Sequence, residues 1–584
     1  MYITNVHIEN YRNFTKIDVP LSQFSLILGV NDIGKSNLIE AINLVLYNNK
    51  TNMSSKNLSN YDFNYKTVQE YRENIKSKFN DIKNNIEGWE KYIIENSPKI
   101  IVELTFNYDE TDNYAIELLN GCLYVDEDEK YSYKIKFEYS VKKEREYLEF
   151  IYNYIFNSSN VSDVDLMNIP TKYFDHSLKS SYNQKDLAYN VFKLLKSNII
   201  YANRDSFSSD ENLSSTAILS KIISQELSDD EINKLEKDYS DFFKKIQGYD
   251  SFKGVFKFVE ENNIKNVEDF IGKLILVPNG KKYQNVLSNI SISYDNEMLF
   301  QRGLGTRNLI YILTLFSYFN KNNNMGEFNL VSIEEPESHL SVNNYKLILD
   351  YLYKIFEKKN KLMQIIVTSH SNQFINKLSL ANITIICSSS ECKYIDNMDG
   401  KLKLYLSKRS NFDILNLLFS KNTVLVEGVT EELYINTLFN KDTAAINDIV
   451  VISIGQTGFT TFMDIWLSLH KGDNTYRLAI IKDYDNQEKS KQKHLDYQNE
   501  NMNIKVAITD NYTFEDDFVK TDDNLTKLNE LYEVSFDEGT MISKLKEDKS
   551  QSIYDICNGI NNNVQFSIPK HIESVIKWFK NEKN

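Results

Sequence analysis

Two groups of residues in this chain have the types and spacing for phosphate chemistry. The first is Gly29 to Ser36, which reads GVNDIGKS. Gly29 and Gly34 let the backbone turn its N–H groups inward around a phosphate, Lys35 supplies a point charge to the β- and γ-oxygens, and Ser36 can hold Mg²⁺. The run Phe24, Leu26, Ile27 and Leu28 predicts a buried strand entering this loop, and Leu38, Ile42, Val45 and Leu46 predict a helix leaving it. Further along, Phe328 to Ile333 reads as a buried strand that runs into Glu334 and Glu335. Acids at such a strand end meet the γ-phosphate in an open α/β sheet, so Glu334 is assigned to Mg²⁺ through water and Glu335 to polarising the attacking water. A second strand, Gln364 to Val367, leads to His370, a candidate sensor of the γ-phosphate. The stretch QRGLGTR puts Gly303 and Gly305 in a turn ahead of a helix, which makes a second anion site. It fits a composite ATPase in which one subunit's turn closes on the nucleotide held by another. Arg12 either reaches the nucleotide phosphates or is a solvated arginine at the end of a strand.

The second group is acidic. Glu427 follows the buried run Thr423 to Val426, and Asp483 and Asp485 follow Leu478 to Ile481. Between them lie the strand Ile449 to Ile454 and a helix with the face Phe459, Phe462, Met463, Trp466 and Leu469. Alternating strands and helices imply a parallel sheet, which brings these acids to its C-terminal edge. Carboxylates crowded together repel one another unless a cation neutralises them, and an all-oxygen ligand set suits Mg²⁺ or Mn²⁺. Such ions would bind a phosphodiester and support its hydrolysis. Glu515, after the strand Ile504 to Ile508, is a further candidate ligand. Lys489, Lys491, Lys493 and His494 read as a loop that either tracks a DNA backbone or is an ordinary solvated charge run.

The elements that must hold these groups come from a chain of 584 residues, long enough for two to four domains with full cores. No run of eighteen apolar residues occurs and no leader pattern precedes the first strand, so the expected protein is soluble, cytoplasmic and without a membrane partner. Cys122, Cys387, Cys392 and Cys557 are scattered and do not read as metal ligands. A net charge of −15 argues against coating nucleic acid with the whole surface, but leaves local binding open. Ile75 to Ile93 predicts one long amphipathic helix. Tyr131 to Val141 alternates as an antiparallel strand, with Ile101 to Phe106 and Tyr147 to Ile155 grouped with it as a β-rich subsheet. Ile199 to Asn203 reads as another strand. Residues 206–272 form a charged helical insertion with a capping box at Ser228 and Glu231, serving either as a dimer contact or as packing on its own lobe. A polar linker at Ser407 to Asn411 separates domains at 1–405 and 412–584.

The set IENYRNF, GVNDIGKSN, RGLGTRN, SIEEPESHL and VTSHS, in this order, resembles the ATPase of the SMC, RecF and OLD (overcoming lysogenization defect) group. The implied fold is α/β, with an ABC-type ATPase domain followed by a C-terminal TOPRIM domain. The wording of the first loop adds Asn31 and Asn37 to the residues expected around ATP. VLVEGVTEE and KDYD resemble the TOPRIM glutamate and DxD motifs, which adds Glu431 to Glu427, Asp483, Asp485 and Glu515 as expected metal ligands and catalytic residues. The family also uses a lysine near the C-terminus as a transition-state stabiliser. Lys549 matches best by position, with Lys544, Lys546 and Lys570 as competitors. The wording is closest to the Gabija-type anti-phage branch of the OLD nucleases, which implies cutting of double-stranded DNA, a homo-oligomer built through the ATPase half, and a UvrD-like helicase partner. The rival readings are a non-nucleolytic RecF-like repair ATPase with a vestigial TOPRIM domain, and an effector acting on RNA.

Overall fold

A computed structural model describes residues 1–201 apart from 30–31, 48–57, 85–87 and 111; 223–249 apart from 225 and 248; isolated positions between 287 and 298; and 301–580 apart from 322–327, 371–381, 401–413, 442–448, 456–457 and parts of 339–362 and 395–399. The described chain forms two compact units. Met1–Leu26 and Lys35–Ser369 make the first, and Ile27–Gly34 and His370–Asn584 make the second. Among the described residues no helix is long and apolar enough to cross a membrane.

The first unit contains an antiparallel sheet built from β1 (Ile3–Tyr11), β2 (Phe14–Pro20), β4 (Ile100–Asn107), β5 (Leu123–Val125), β6 (Tyr131–Val141) and β7 (Phe174–Ser180). Its order is β2-β1-β4-β6-β5, with β7 also on β6. Alternation in β6 buries Tyr133, Ile135, Phe137 and Tyr139 on one face, and Phe137 sits opposite Val102 of β4. Beside this sheet run β3 (Phe24–Leu28), β8 (Leu195–Ile200), β9 (Phe328–Glu334) and β10 (Met363–Ser369), in the order β3-β10-β9-β8. The β9 strand is parallel to both of its neighbours, and β3, β9 and β10 are buried along their whole length. Continuous apolar runs are what strands covered on both faces require. Helix α1 (Lys35–Val45) follows the glycine loop.

Three expectations are corrected here. Tyr147 to Ile155 is not a strand but part of helix α2 (Glu144–Asn157), which buries Tyr147, Ile151 and Ile155 at a spacing of four. That is the helical period, so the apolar content misled where the spacing did not. The long helix across Ile75 to Ile93 is broken into Tyr65–Ser77, Phe79–Asn84 and Glu90–Glu95, with Gly88 at φ +102° between the last two. The strand placed at Ile199 to Asn203 is β8, ending at Ile200. In the insertion, helix α3 (Asp229–Gln247) starts at the Ser228 cap, whose N–H and hydroxyl both donate to Glu231. Most of 206–272, and the linker at 407–411, lie outside the described residues.

The second unit is organised on a four-stranded parallel sheet of β11 (Asn422–Val426), β12 (Ile449–Ser453), β13 (Arg477–Lys482) and β14 (Ile504–Ile508), in the order β12-β11-β13-β14. The chain enters in the middle at β11, steps out to β12, then returns to the other side of β11. The strand order therefore reverses between β11 and β13, and in open α/β sheets such a switch point leaves a crevice beyond the strand ends where ligands bind. Helices α4 (Val429–Lys441), α5 (Phe459–His470), α6 (Glu488–Glu500), α7 (Phe514–Lys520), α8 (Lys549–Asn561) and α9 (Lys570–Phe579) belong to this unit, together with further helices at Ile414–Phe419, Asn524–Tyr532 and Glu538–Glu547. Its core joins Val424, Val426, Ala479 and Ile481 from the sheet to Tyr434, Phe514 and Phe518 from the helices.

Phe137 is fully buried in the central strand of the antiparallel sheet. Phe137→Ala should lower the stability of this unit by about 3–5 kcal/mol, read as an earlier transition in chemical denaturation followed by circular dichroism. An unchanged midpoint would contradict the packing described.

Candidate functional site

The acids named from the sequence sit at the switch point of the second unit. Glu427 directly follows β11, and Asp483 directly follows β13, the strand beside it. The Asp483 N–H points to Glu427 Oε2 at 3.5 Å. Glu431, in the first turn of α4, accepts from the Gly428 N–H and the Thr430 hydroxyl, each at 3.0 Å. A side chain at Gly428 would press on this carboxylate, since an added Cβ would lie 3.0 Å from Glu431 Oε2. Glu515 enters from the first turn of α7, and its Oε1 lies 2.9 Å from Lys549 Nζ at the start of α8. Asp485 lies just past the strand end with φ +49°, a left-handed conformation that costs a non-glycine residue about 1–2 kcal/mol.

The charges of this group act on one another. Burial pushes the Asp483 carboxyl up to about 8, reinforced by Glu431, Glu427, Glu515 and Asp485. Burial also raises Glu427, helped by Asp485 and Glu431 and opposed by the Asp483 N–H and by Lys482. Burial would lower the Lys549 ammonium, yet its contact with Glu515 and the charges of Asp483 and Glu431 outweigh this and hold it raised. Asp483 thus gathers the influence of all four other acids, while Lys549 brings in the compensating charge.

Among the described residues, no group of three or more Asp, Glu, His or Cys side chains is set to hold a metal ion as it stands. Glu427, Glu431, Asp483 and Glu515 instead lean on nearby donors. Asp483 Oδ1 accepts from the Phe514 N–H at 2.8 Å, and the Thr513 hydroxyl lies 2.7 Å from both Glu515 Oε2 and Asp516 Oδ2. The chemistry of the donor set nonetheless fits a hard divalent cation. All available ligand atoms are oxygens, and the burial that raises Asp483 and Glu427 is what a bound positive charge would relieve.

Thr513 was missed in the sequence, although Thr513-x-x-Asp516 is a capping-box pattern that marks the helix start beside Glu515. Lys482, buried at the end of β13, was also missed. The basic run near Lys489 is corrected: it belongs to helix α6 rather than a loop, and His494 is buried with its ring edge-on to Phe459. Of the competing lysines, Lys546 holds Asp516 at 2.7 Å, whereas Lys549 reaches Glu515.

In the first unit, Lys35 is 5% exposed and its Nζ lies 3.9 Å from Glu335 Oε1. Glu335 has φ +37° and its N–H donates to the Thr368 carbonyl, next to the buried Glu334. Ser36 is exposed at the start of α1. The Arg12 guanidinium pairs with Asp62 at 3.0 Å and donates to Asn37 Oδ1 at 3.1 Å, and Asn37 donates to Asn13. Arg12 is therefore neither merely solvated nor directed only at a ligand. Gly303 precedes a helix that starts at Leu304, so Gly305 lies inside its first turn rather than ahead of it. In the second unit, Gly34 has φ +110°, and a Cβ at Gly29 would stand 2.7 Å from Ile33 Cγ2, so both positions need glycine. His370 is exposed directly after β10. Asn31 lies outside the described residues.

The raised Asp483 carboxyl carries a consequence for stability. The folded chain keeps a proton that the unfolded chain releases above its ordinary 3.8, so this contribution is present at low pH and is lost as pH rises toward about 8. In EDTA, Asp483→Asn should stabilise the protein at pH 8 by on the order of 3 kcal/mol and leave it nearly unchanged at pH 4. Thermal melts at the two pH values test this; equal effects at both would contradict it.

Comparison with known proteins places these features in a family. A family model described as "AAA ATPase domain" matches residues 1–375, and one described as "Overcoming lysogenization defect protein-like, TOPRIM domain" matches residues 418–485. The second match spans Glu427, Glu431, Asp483 and Asp485. The chain is similar to Endonuclease GajA of Bacillus cereus strain HuB5-5, at 22% identity over 508 residues, which covers 74% of this chain and 70% of that protein. It is likewise similar to Endonuclease GajA of Bacillus cereus strain VD045, at 21% identity, covering 79% and 72%. A solved SMC head domain from Thermotoga maritima aligns with a TM-score of 0.26 at 12% identity, over 66% of this chain and 94% of that one. This chain belongs to the AAA ATPase domain family and carries an OLD-like TOPRIM domain after the ATPase.

Proposed function

We propose that this protein is a divalent-metal-dependent endonuclease of double-stranded DNA, regulated by ATP bound in its ATPase half and serving in anti-phage defence. The observation that carries the reading is the acidic cluster at the β11/β13 switch point, where Asp483 is raised by burial and then by its four acidic neighbours, and Lys549 lies 2.9 Å from Glu515. The similarity to proteins named as endonucleases supports it. Glu427, Glu431, Asp483, Asp485 and Glu515 would hold Mg²⁺ or Mn²⁺, which when bound supplies Lewis-acid polarisation of the scissile phosphate. The protein's own contribution is distinct. Backbone and hydroxyl donors fix the carboxylates, and the Lys549 ammonium, 2.9 Å from Glu515, would offset the negative charge that builds on a phosphate undergoing displacement. From the sequence motifs, Gly29, Asn31, Gly34, Lys35, Ser36 and Asn37, with Glu334, Glu335, His370, Gly303 and Gly305, are proposed to bind ATP. By likeness to the same family, the working form is a homo-oligomer assembled through the ATPase half and partnered by a UvrD-like helicase. Nucleotide occupancy of the first site gates DNA access to the second.

Plasmid cutting with Mg²⁺ or Mn²⁺ tests the proposal. Asp483→Ala should abolish cutting, and Lys549→Ala should slow it about 10²–10³-fold at saturating metal, as expected when one charge aimed at the transition state is removed. Metal-supported cutting that survives Asp483→Ala would refute the assignment. Lys35→Ala should erase the response of cutting to ATP while leaving metal dependence in place, and a variant that still responds to ATP as the wild type does would exclude the gating step.

A further inference from the structure

The DxD segment Asp483–Asp485 is not held by its own strand alone. The Tyr484 N–H donates to Thr509 Oγ1 at 2.9 Å, the Asp485 N–H donates to the Tyr512 carbonyl at 3.1 Å, and Asp483 Oδ1 accepts from the Phe514 N–H at 2.8 Å. All three partners lie within residues 509–514, the turn that follows β14 and the first residue of α7. That turn is itself tied down by one carboxylate. Asp517 Oδ2 accepts from the Asp510 N–H at 2.8 Å, and its Oδ1 accepts from the Asn511 N–H and the Asn511 side-chain amide, each at 2.7 Å. Against Asp517 Oδ2, at 3.0 Å, stands His571 Nδ1 from α9, a close polar contact lying off the line of an aligned hydrogen bond. The two side chains are only 6% and 3% exposed. A buried carboxylate satisfied by so many donors is rigid, and the turn that supplies them is rigid with it.

The segment being held needs such an anchor. Asp485 has φ +49° and Asn486 has φ +56°, two successive non-glycine residues in the left-handed region, each costing about 1 kcal/mol or more. Strain of this kind persists only where the surroundings over-determine it. If the turn loosened, the segment would relax and carry the Asp485 carboxylate away from Asp483.

We propose that Asp517 and His571 are a positioning pair, which through the 509–514 turn fixes Asp485 against Asp483 and so sets the affinity of the acidic site for a divalent cation. This rests on the nuclease reading of that site. Neither residue is among the acids proposed to hold the cation, so the effect belongs to metal affinity rather than to the chemical step. Groups that orient ligands from behind change metal affinity by about 10–100-fold when removed.

The test is Mn²⁺ binding to the full chain by calorimetry, alongside the Mn²⁺ dependence of plasmid cutting. Asp517→Asn and His571→Leu should each weaken Mn²⁺ binding about tenfold or more and raise the Mn²⁺ needed for half-maximal cutting in step, with kcat at saturating Mn²⁺ kept within about threefold. His571→Gln, which keeps a polar partner for Asp517, should restore most of the affinity. Should Asp517→Asn or His571→Leu fail to fold by circular dichroism, Asn511→Ala, which removes a single side-chain contact of the same anchor, should show a smaller shift in the same direction. A folded His571→Leu, or failing that Asn511→Ala, with wild-type Mn²⁺ affinity overturns the inference alone. A wild-type chain that neither binds Mn²⁺ nor cuts overturns the nuclease reading and this inference together.

Discussion

Crowding like charges in a poorly solvated place is costly, and the second unit is arranged around that cost. Asp483 sits between Glu427, Glu431, Glu515 and Asp485, and burial raises it even before their charges act. The fold meets the repulsion locally with the Phe514 and Gly428 N–H groups, the Thr513 hydroxyl and the Lys549 ammonium. Conventional packing does not demand any of this. A core of Val424, Ile481, Tyr434 and Phe518 would be equally apolar with neutral loops at the strand ends. The acids are tolerated at the one edge where the reversal of strand order leaves a crevice, which is where a parallel sheet offers room for a ligand. A hard cation is the simplest partner that turns this liability into binding energy.

The ATPase half shows a related economy of position. Glu335 and Arg12 both adopt left-handed backbone conformations, as Asp485 does in the other unit. Such conformations are sparse among non-glycine residues and gather where side chains must be aimed rather than packed. Lys35 is buried with its ammonium near Glu335, so a phosphate entering that loop would meet a cation already balanced by a carboxylate.

Much of this was legible in the sequence because the signals were local and periodic. The strand Ile504–Ile508 falls where the apolar run put it, and Tyr131–Val141 declares its buried face by strict alternation. The parallel direction of the strands in the second unit, and with it the shared edge of Glu427 and Asp483, followed from their alternation with helices; the pairing of β11 with β13, which sets the two acids side by side, is seen only in the structure. The failures were also physical. Tyr147 to Ile155 carries strand-forming residues at helical spacing, and packing at that spacing prevailed over propensity. The helix expected across Ile75 to Ile93 ends a first time at Lys78, and Gly88, with φ +102°, lies between its last two pieces, so a continuous apolar period hid two interruptions. His494 looked like part of a basic surface, but the turn of helix α6 directs it inward while the neighbouring lysines stay near solvent. The contacts of Lys549 with Glu515 and of His571 with Asp517 join segments distant in the chain, and no local pattern announces which residue will meet which.

Acids from the ends of separate strands and helices are proposed to hold a divalent cation jointly at the switch point. Anomalous diffraction at the manganese edge, from crystals of the full chain grown with Mn²⁺, addresses this most directly. The account predicts an anomalous peak among Glu427, Asp483 and Asp485. Manganese bound only elsewhere, with these three carboxylates turned apart, would contradict it.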